Sequence, residues 1–245
     1  MEEWSMFGET TIKFLAETLV FSREILDLAD SGLGHVGHIA LIAILEALVR
    51  PHASLALKSL FYTPTKNRVR SLNLSGNRLD ASLGEHLADI FMKNNVLTHI
   101  DLSDNLLDDS AGIHIARALS YNQSISTLIL HSNMLGPEAG KEIAKTLRRN
   151  TTITTLDLSE NRLGPKTFWR GKVKHEIEGA GHSLGQALAY NKSLTSLKLS
   201  HNLLGEALGK QRNKMPCTHT FGTTTVLMSD FYHFYRRCYC RDLGS

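Results

Sequence analysis

The side chains best equipped for chemistry in this chain of 245 residues fall into three groups. Cys217-x-His219 and Cys238-x-Cys240 offer four soft donors, enough in number for a zinc ion. One residue separates the members of each pair, whereas paired ligands of structural zinc sites stand about two to four residues apart, so no metal is assigned. The chain has 12 histidines. His99, His131 and His201 recur at related positions, but no serine, cysteine and acid arrangement surrounds them as nucleophilic or acid-base catalysis requires. The glycines recur singly and form no phosphate-cradling loop. The third group is Asp101, Asp104, Asp157 and Glu160, carboxylates at matching places in separate segments. Their chemistry is the attraction of cationic groups. The expectation is a protein without catalytic residues, metal or cofactor.

The elements that must position these residues repeat. Asn77, Asn105, Asn133, Asn161 and Asn202 each sit in Leu/Ile-x-Leu-x-x-Asn-x-Leu, the first four spaced 28 apart. Before each asparagine the apolar residues alternate (Leu72/Leu74, Ile100/Leu102, Leu128/Leu130, Leu156/Leu158, Leu197/Leu199), the period of a short strand. After it the spacing turns helical: Leu87, Ala88, Phe91; Ile115, Ala116, Leu119; Ile143, Ala144, Leu147; Leu184, Gly185, Leu188. A glycine column, Gly84, Gly112, Gly140, Gly181 and Gly209, stands where loop passes into helix, as close approach to the strand behind or an unusual dihedral would require. A second asparagine column, Asn94, Asn122, Asn150 and Asn191, stands where each helix stops and suits a left-handed cap. The first asparagine ladder is expected to be buried, its amides satisfying turn backbone that no regular ladder reaches.

These units resemble the ribonuclease-inhibitor-type leucine-rich repeats, on the strength of the Leu-x-Leu-Ser-x-Asn-x-Leu cores, their length and the Ile-Ala-x-x-Leu helices. The resemblance runs over about 69–209. It implies an α/β leucine-rich repeat solenoid, a partial horseshoe with parallel strands on the concave face and helices on the convex face. Relatives of that kind include the activator of the Ran GTPase and the arrays of Nod-like receptors, so the resemblance fixes no single activity.

Three regions are expected. Residues 1–68 form an N-terminal cap with degenerate repeats, in which Leu26-Asp27-Leu28-x-x-Ser31-x-Leu33 carries the strand pattern with serine for asparagine. A helix after Gly37 and a loop over 62–68 take up the extra length. Residues 69–209 hold the regular repeats. The fourth unit carries a 13-residue insertion at 166–178, read as a rim loop that leaves the repeat columns undisturbed. Residues 210–245 form an irregular, basic and aromatic tail, and over 206–245 six Lys/Arg stand against three Asp/Glu. The formal charge of +3 gives no global field for nucleic acid. The run Ile39 to Val49 is too short to span a bilayer and is broken by Glu46. Met1-Glu2-Glu3-Trp4 lacks the order of a secretory signal. All three cysteines lie in the tail, as in a reducing compartment, so the expected location is cytoplasmic.

Binding is assigned to the concave face and the rim. One column of strand residues pointing away from the core holds Asn73, Asp101, Ile129, Asp157 and Lys198. The turn beside it adds Asp104, Ser132, Glu160 and His201. The four carboxylates around Ile129 suit a protein partner with a basic segment and one hydrophobic anchor. Phe168, Trp169 and Arg170 of the insertion have the composition of a binding hot spot. The expected function is a non-enzymatic scaffold or adaptor, with no nucleic acid and no membrane. Its alternatives are a regulator of a small GTPase like the Ran activator, or a fragment of a Nod-like-receptor-type sensor. On the outer curve Lys141, Lys145, Arg148 and Arg149 give one helix a basic, solvated face.

Overall fold

A computed structural model describes residues 16–17, 20, 24–33, 38–49, 68–170, 173–204 and 225–227. Each x-Leu/Ile-x triplet before the asparagine, or before Ser31 in the first unit, forms a three-residue strand: β1 (Ile25–Asp27), β2 (Ser71–Asn73), β3 (His99–Asp101), β4 (Thr127–Ile129) and β5 (Thr155–Asp157). The central residue of each faces inward and is buried, Leu26, Leu72, Ile100, Leu128 and Leu156 in turn. Helix α1 (His38–Val49) follows β1, and its Leu41, Ile44, Leu45 and Leu48 are buried. The regular repeats supply α2 (Gly84–Lys93), α3 (Asp109–Leu119) and α4 (Pro137–Leu147). The insertion forms β6 (Lys166–Arg170) and β7 (Val173–Ile177); then come α5 (Gly181–Tyr190), β8 (Ser196–Lys198) and β9 (Thr225–Leu227). The main sheet is parallel, in the order β1-β2-β3-β4-β5-β8-β9. Helices and strands alternate, and the core is the seam between them. This is an α/β leucine-rich repeat solenoid.

The ladder asparagines are buried, from 0 % exposed at Asn202 to 7 % at Asn133. Asn133 Nδ2 donates to the carbonyls of Leu102 (2.9 Å), Leu130 (3.2 Å) and His131 (3.2 Å), and its Oδ1 accepts from Leu107 N–H (3.0 Å). Asn161 repeats the pattern one unit on, reaching back to Leu130 O and accepting from Leu135 N–H. The amide thus stitches each turn to the one before it, where the short strands have ended. In the degenerate first unit Ser31 and Leu33 donate their N–H groups to Asn77 Oδ1, so the worn repeat is still tied to its neighbour.

The second asparagine column corrects the expectation of a left-handed cap. Asn94 and Asn191 have extended backbone (φ −86°, ψ 127° and φ −72°, ψ 131°). Their side chains do the work instead. Asn122 Oδ1 accepts from Ser124 and Ile125 N–H, turning the chain into the next strand, while Nδ2 donates to Phe91 O and Asn94 O of the previous unit. Asn150 and Asn191 do the same. The array therefore has two amide ladders, one at each end of its strands.

The glycine column is a close approach, but to the next repeat and not to the strand behind. A Cβ on Gly84 would lie 2.6 Å from Ala111 Cα, on Gly112 2.6 Å from Ala139 Cβ, and on Gly140 2.4 Å from Ala180 Cβ. Neighbouring helices meet at their first turns through glycine against alanine.

Two regions differ from the sequence reading. The insertion is an antiparallel hairpin rather than an irregular loop, pairing Lys166↔Ile177 through Arg170↔Val173. The tail contributes β9, parallel to β8 with Val226 opposite Leu197, so it is not irregular throughout. Val226 and Met228 repeat the alternation of Leu197 and Leu199, but Phe231 stands at the sequence position of the ladder asparagine. The insertion's length is tolerated because it leaves the solenoid as a self-paired strand pair. The proposed loop over 62–68 lies almost wholly outside the described residues.

Candidate functional site

The columns singled out on the concave side come together in the order that the register dictates. Asn73, Asp101, Ile129, Asp157 and Lys198 are consecutive partners across β2, β3, β4, β5 and β8. Adjacent strands place them roughly 4.8 Å apart. Asp104, Ser132, Glu160 and His201 form the neighbouring row, each in the left-handed region with φ between 51° and 58°. Gly76 fills the same place in the first regular unit, at φ 67°. Asp104, Glu160 and His201 are exposed, and Ile129 is half-buried.

The carboxylates differ in what they are free to do. Asp101 turns back to accept from Ser103 N–H (2.9 Å) and Ser103 Oγ (2.6 Å). Asn73 makes the equivalent bond to Ser75 N–H (3.0 Å). Asp157 accepts from Ser159 in the same way, is 7 % exposed, and also meets Lys198 Nζ at 2.9 Å. Partial burial pushes its pKa up, but the Ser159 bonds and the Lys198 ammonium outweigh that and hold it below the ordinary carboxylate range. Asp157 is therefore a buried, paired charge, contrary to the expectation of four open carboxylates. The open negative charge sits on Asp104 and Glu160. The Asx-x-Ser spacing, present as Asn73-Leu74-Ser75, Asp101-Leu102-Ser103 and Asp157-Leu158-Ser159, is the sequence signal of this turn.

Between them lies a network the sequence reading did not assemble. His131 Nδ1 is 3.2 Å from Ser159 Oγ and its Nε2 is 3.2 Å from Ser132 Oγ. Ser132 donates its hydroxyl proton to Glu160 Oε2 at 2.9 Å. That leaves the serine oxygen an acceptor toward the imidazole, the wrong polarity for a nucleophile activated by a histidine base. The network orders the face around Ile129 and presents polar atoms outward.

Phe168, Trp169 and Arg170 lie on β6, paired in register with His175, Lys174 and Val173. They belong to the two-stranded sheet, apart from the main one. The hairpin's root is fixed to the solenoid. Lys166 Nζ bonds Asp109 Oδ2 at 2.8 Å, while Asp109 Oδ1 accepts from Gly136 N–H (2.8 Å) and Ala139 N–H (2.9 Å). Gly136 is the N-cap of α4 and has no side chain to cap it, so an aspartate from the preceding repeat performs that task. Burial pushes Asp109 upward, yet the Lys166 bond, the Ala139 N–H and the lysine charge hold its carboxyl below the usual range. A carboxylate depressed in the folded state stabilises the fold above its unfolded pKa, near 3.8, and that stability is lost as pH falls through the folded value. Urea titrations of Asp109→Asn are expected to show a loss of about 1 to 2 kcal/mol at pH 7 and a shallower acid dependence than the parent below about pH 4. An unchanged acid limb would remove the cap from the account.

Cys217, His219, Cys238 and Cys240 lie outside the described residues. Among the described residues no cluster of three or more metal-ligating side chains occurs, and no helix is long and apolar enough to cross a membrane. A cavity of about 10 Å³ between α3, α4 and the sheet is lined by Ile115, Leu119, Leu128, Ile143, Leu147 and Ile153. It is a packing gap without room for a ligand, and the one hydroxyl in its lining, that of Thr146, is bonded to Ala116 O.

A family profile described as Leucine Rich repeat matches residues 93–116 and 149–166. The first stretch contains β3 and the start of α3, and the second contains β5. No curated protein matches the chain in sequence. Among solved structures, the chain is similar to leiomodin-1 actin-binding site 2, with a TM-score of 0.50 and 19% identity over 83% of this chain and 91% of that one. It is also similar to the tropomodulin C-terminal domain of Caenorhabditis elegans, with a TM-score of 0.49 and 11% identity over 74% and 91%. At 19% identity the likeness to leiomodin-1 concerns the fold.

Proposed function

We propose that the chain is a non-enzymatic protein-binding scaffold or adaptor whose concave face holds a basic segment of another protein. The carrying observation is the pair of exposed carboxylates, Asp104 and Glu160, set on either side of half-buried Ile129 in a rigid, register-locked sheet. A cation beside each carboxylate and one aliphatic side chain on Ile129 would meet complementary charge and apolar surface together. Asp101, Asn73, His201 and the Asp157–Lys198 pair frame this strip, and Phe168, Trp169 and Arg170 of the hairpin add a second contact region at the rim. A cytoplasmic setting accords with cysteines confined to the tail. The ribonuclease-inhibitor-type subclass accords with the 28-residue period and the full helix in each regular unit. The similar leiomodin-1 structure is that of an actin-binding site, which supports a protein partner here without naming it.

Because Asp104 and Glu160 have left-handed backbone, the test replaces them by residues that remove charge and keep shape. Affinity capture with the intact chain is expected to retain proteins that an Asp104→Asn/Glu160→Gln variant loses by at least about tenfold. Retention of every captured protein by the variant, at unchanged melting temperature, would overturn the assignment.

A further inference from the structure

The opposite side of the molecule carries a surface of the other sign. Tyr121, Arg149 and Tyr190 each immediately precede an asparagine of the second ladder. The bonds Asn150 Nδ2 to Asn122 O and Asn191 Nδ2 to Asn150 O, both 3.2 Å, hold the three units side by side, so these residues form one row along the helix C-termini. Tyr121 is 75 % and Tyr190 69 % exposed, among the largest apolar exposures of the described residues. Arg148 lies over the Tyr190 ring, 5.6 Å from its centroid. Arg149 and Lys192 are exposed beside it and enter none of the ion pairs among the described residues. Glu142, on the same helix as Arg148, is already engaged by Lys145 (2.6 Å) and Arg117 (3.6 Å).

Exposed tyrosines interleaved with arginines differ from a merely solvated basic face. Each ring gives a large, stiff contact area, and each guanidinium a planar donor fork that matches a carboxylate. A cation held over a ring keeps its outward donors free while losing little further side-chain entropy on binding. We propose that this helix-end rim, centred on Arg148, Arg149, Tyr121 and Tyr190, is a second docking surface that binds an acidic protein segment carrying an apolar or aromatic residue between its carboxylates. A nucleic acid strand fits less well, because the uncompensated cations are few where a polyanion needs a continuous basic track. The two faces together would let one chain hold a basic and an acidic partner at once, which is the physical content of an adaptor.

The probe is a fluorescein-labelled peptide of glutamates around a central Leu-Phe pair, titrated against the intact chain by fluorescence anisotropy. Saturable binding is expected, at least about tenfold weaker for Arg149→Glu/Lys192→Glu and about fivefold weaker for Tyr121→Ser, since exposed charge and aromatic anchors carry such interfaces. All of these positions are exposed, so melting temperatures are expected to stay within a few degrees of the parent. The Asp104→Asn/Glu160→Gln variant is expected to bind the probe as the parent does, which separates this surface from the concave one. Absence of saturable binding overturns the proposal. So does a change of less than about twofold in Arg149→Glu/Lys192→Glu, or displacement of the peptide by oligo-dT at lower concentration than by unlabelled peptide.

Discussion

Asn133→Ala is expected to destabilise the chain by about 3 kcal/mol, which equilibrium unfolding in urea reads directly. The substitution removes one acceptor and two amide protons that serve three carbonyls. Leu107 N–H is left buried without its 3.0 Å partner, and Leu102 O and Leu130 O each lose a donor. Leu102 O keeps Asn105 Nδ2 at 3.0 Å, and Leu130 O keeps Asn161 Nδ2 at 2.8 Å. The loss is therefore that of one orphaned N–H, weakened carbonyl bonds and a small void, and not of a full set of unpaired groups. Because repeats are stabilised through their neighbours, an interior defect weakens two interfaces, whereas a terminal one weakens a single interface. Asn202 is the last amide of the ladder, since Phe231 stands at its place in the β9 unit, so Asn133 should cost more than Asn202. Equal and negligible costs at both would show that the amides do not bind the turns together.

The second large effect concerns Gly140. In an exposed helix, glycine to alanine gains about 1 kcal/mol from propensity alone. Here the added Cβ would sit 2.4 Å from Ala180 Cβ and 3.0 Å from Leu163 Cδ2. Ala180 Cβ cannot rotate away, so relief requires α4 and α5 to separate. The overpacking cost, about 1 to 3 kcal/mol, exceeds the propensity gain, and Gly140→Val adds two further carbons to the same contact. Gly140→Ala is expected to be net destabilising and Gly140→Val to cost about 3 kcal/mol or more, read as a fall in melting temperature at constant pH. A rise in melting temperature for Gly140→Ala would contradict the helix-to-helix contact.

The glycine and asparagine columns explain which parts of the molecule could be read from residue spacing. A feature that recurs at a fixed interval reports a local geometry that also recurs. The strand triplets, the buried seam and the first ladder follow from the 28-residue rhythm, and even the worn unit at Leu26 pairs where its pattern places it. Position alone did not say what each column touches. Spacing places Asn122 as a cap on its own helix, but its amide reaches carbonyls of the previous unit, 28 and 31 residues back in sequence. Asp109 likewise caps a helix that is not its own, because solenoid stacking brings the first turn of one unit against the next.

The remaining differences arise where the rhythm breaks. Thr167-Phe168-Trp169-Arg170 and Val173-Lys174-His175-Glu176-Ile177 are rich in β-forming residues around Gly171-Lys172, a two-residue spacing that favours a hairpin. Position on the rim suggests a loop, whereas this composition carries the hairpin. At β9 the strand alternation is present, while phenylalanine in place of asparagine hid the unit. On the concave face, four carboxylates counted from sequence become two open ones, because Lys198 and Ser159 engage Asp157 and Ser103 turns Asp101 back. Charge in a column is only available to a partner when its neighbours leave it free.

The concave-face assignment is tested most directly by hydrogen exchange on the intact chain, measured with and without the protein it captures. Slowed exchange is expected over 99–104, 127–132 and 155–160, with no change along α2, α3 and α4. Protection confined to the helices, with the strand and turn segments unchanged, would contradict it.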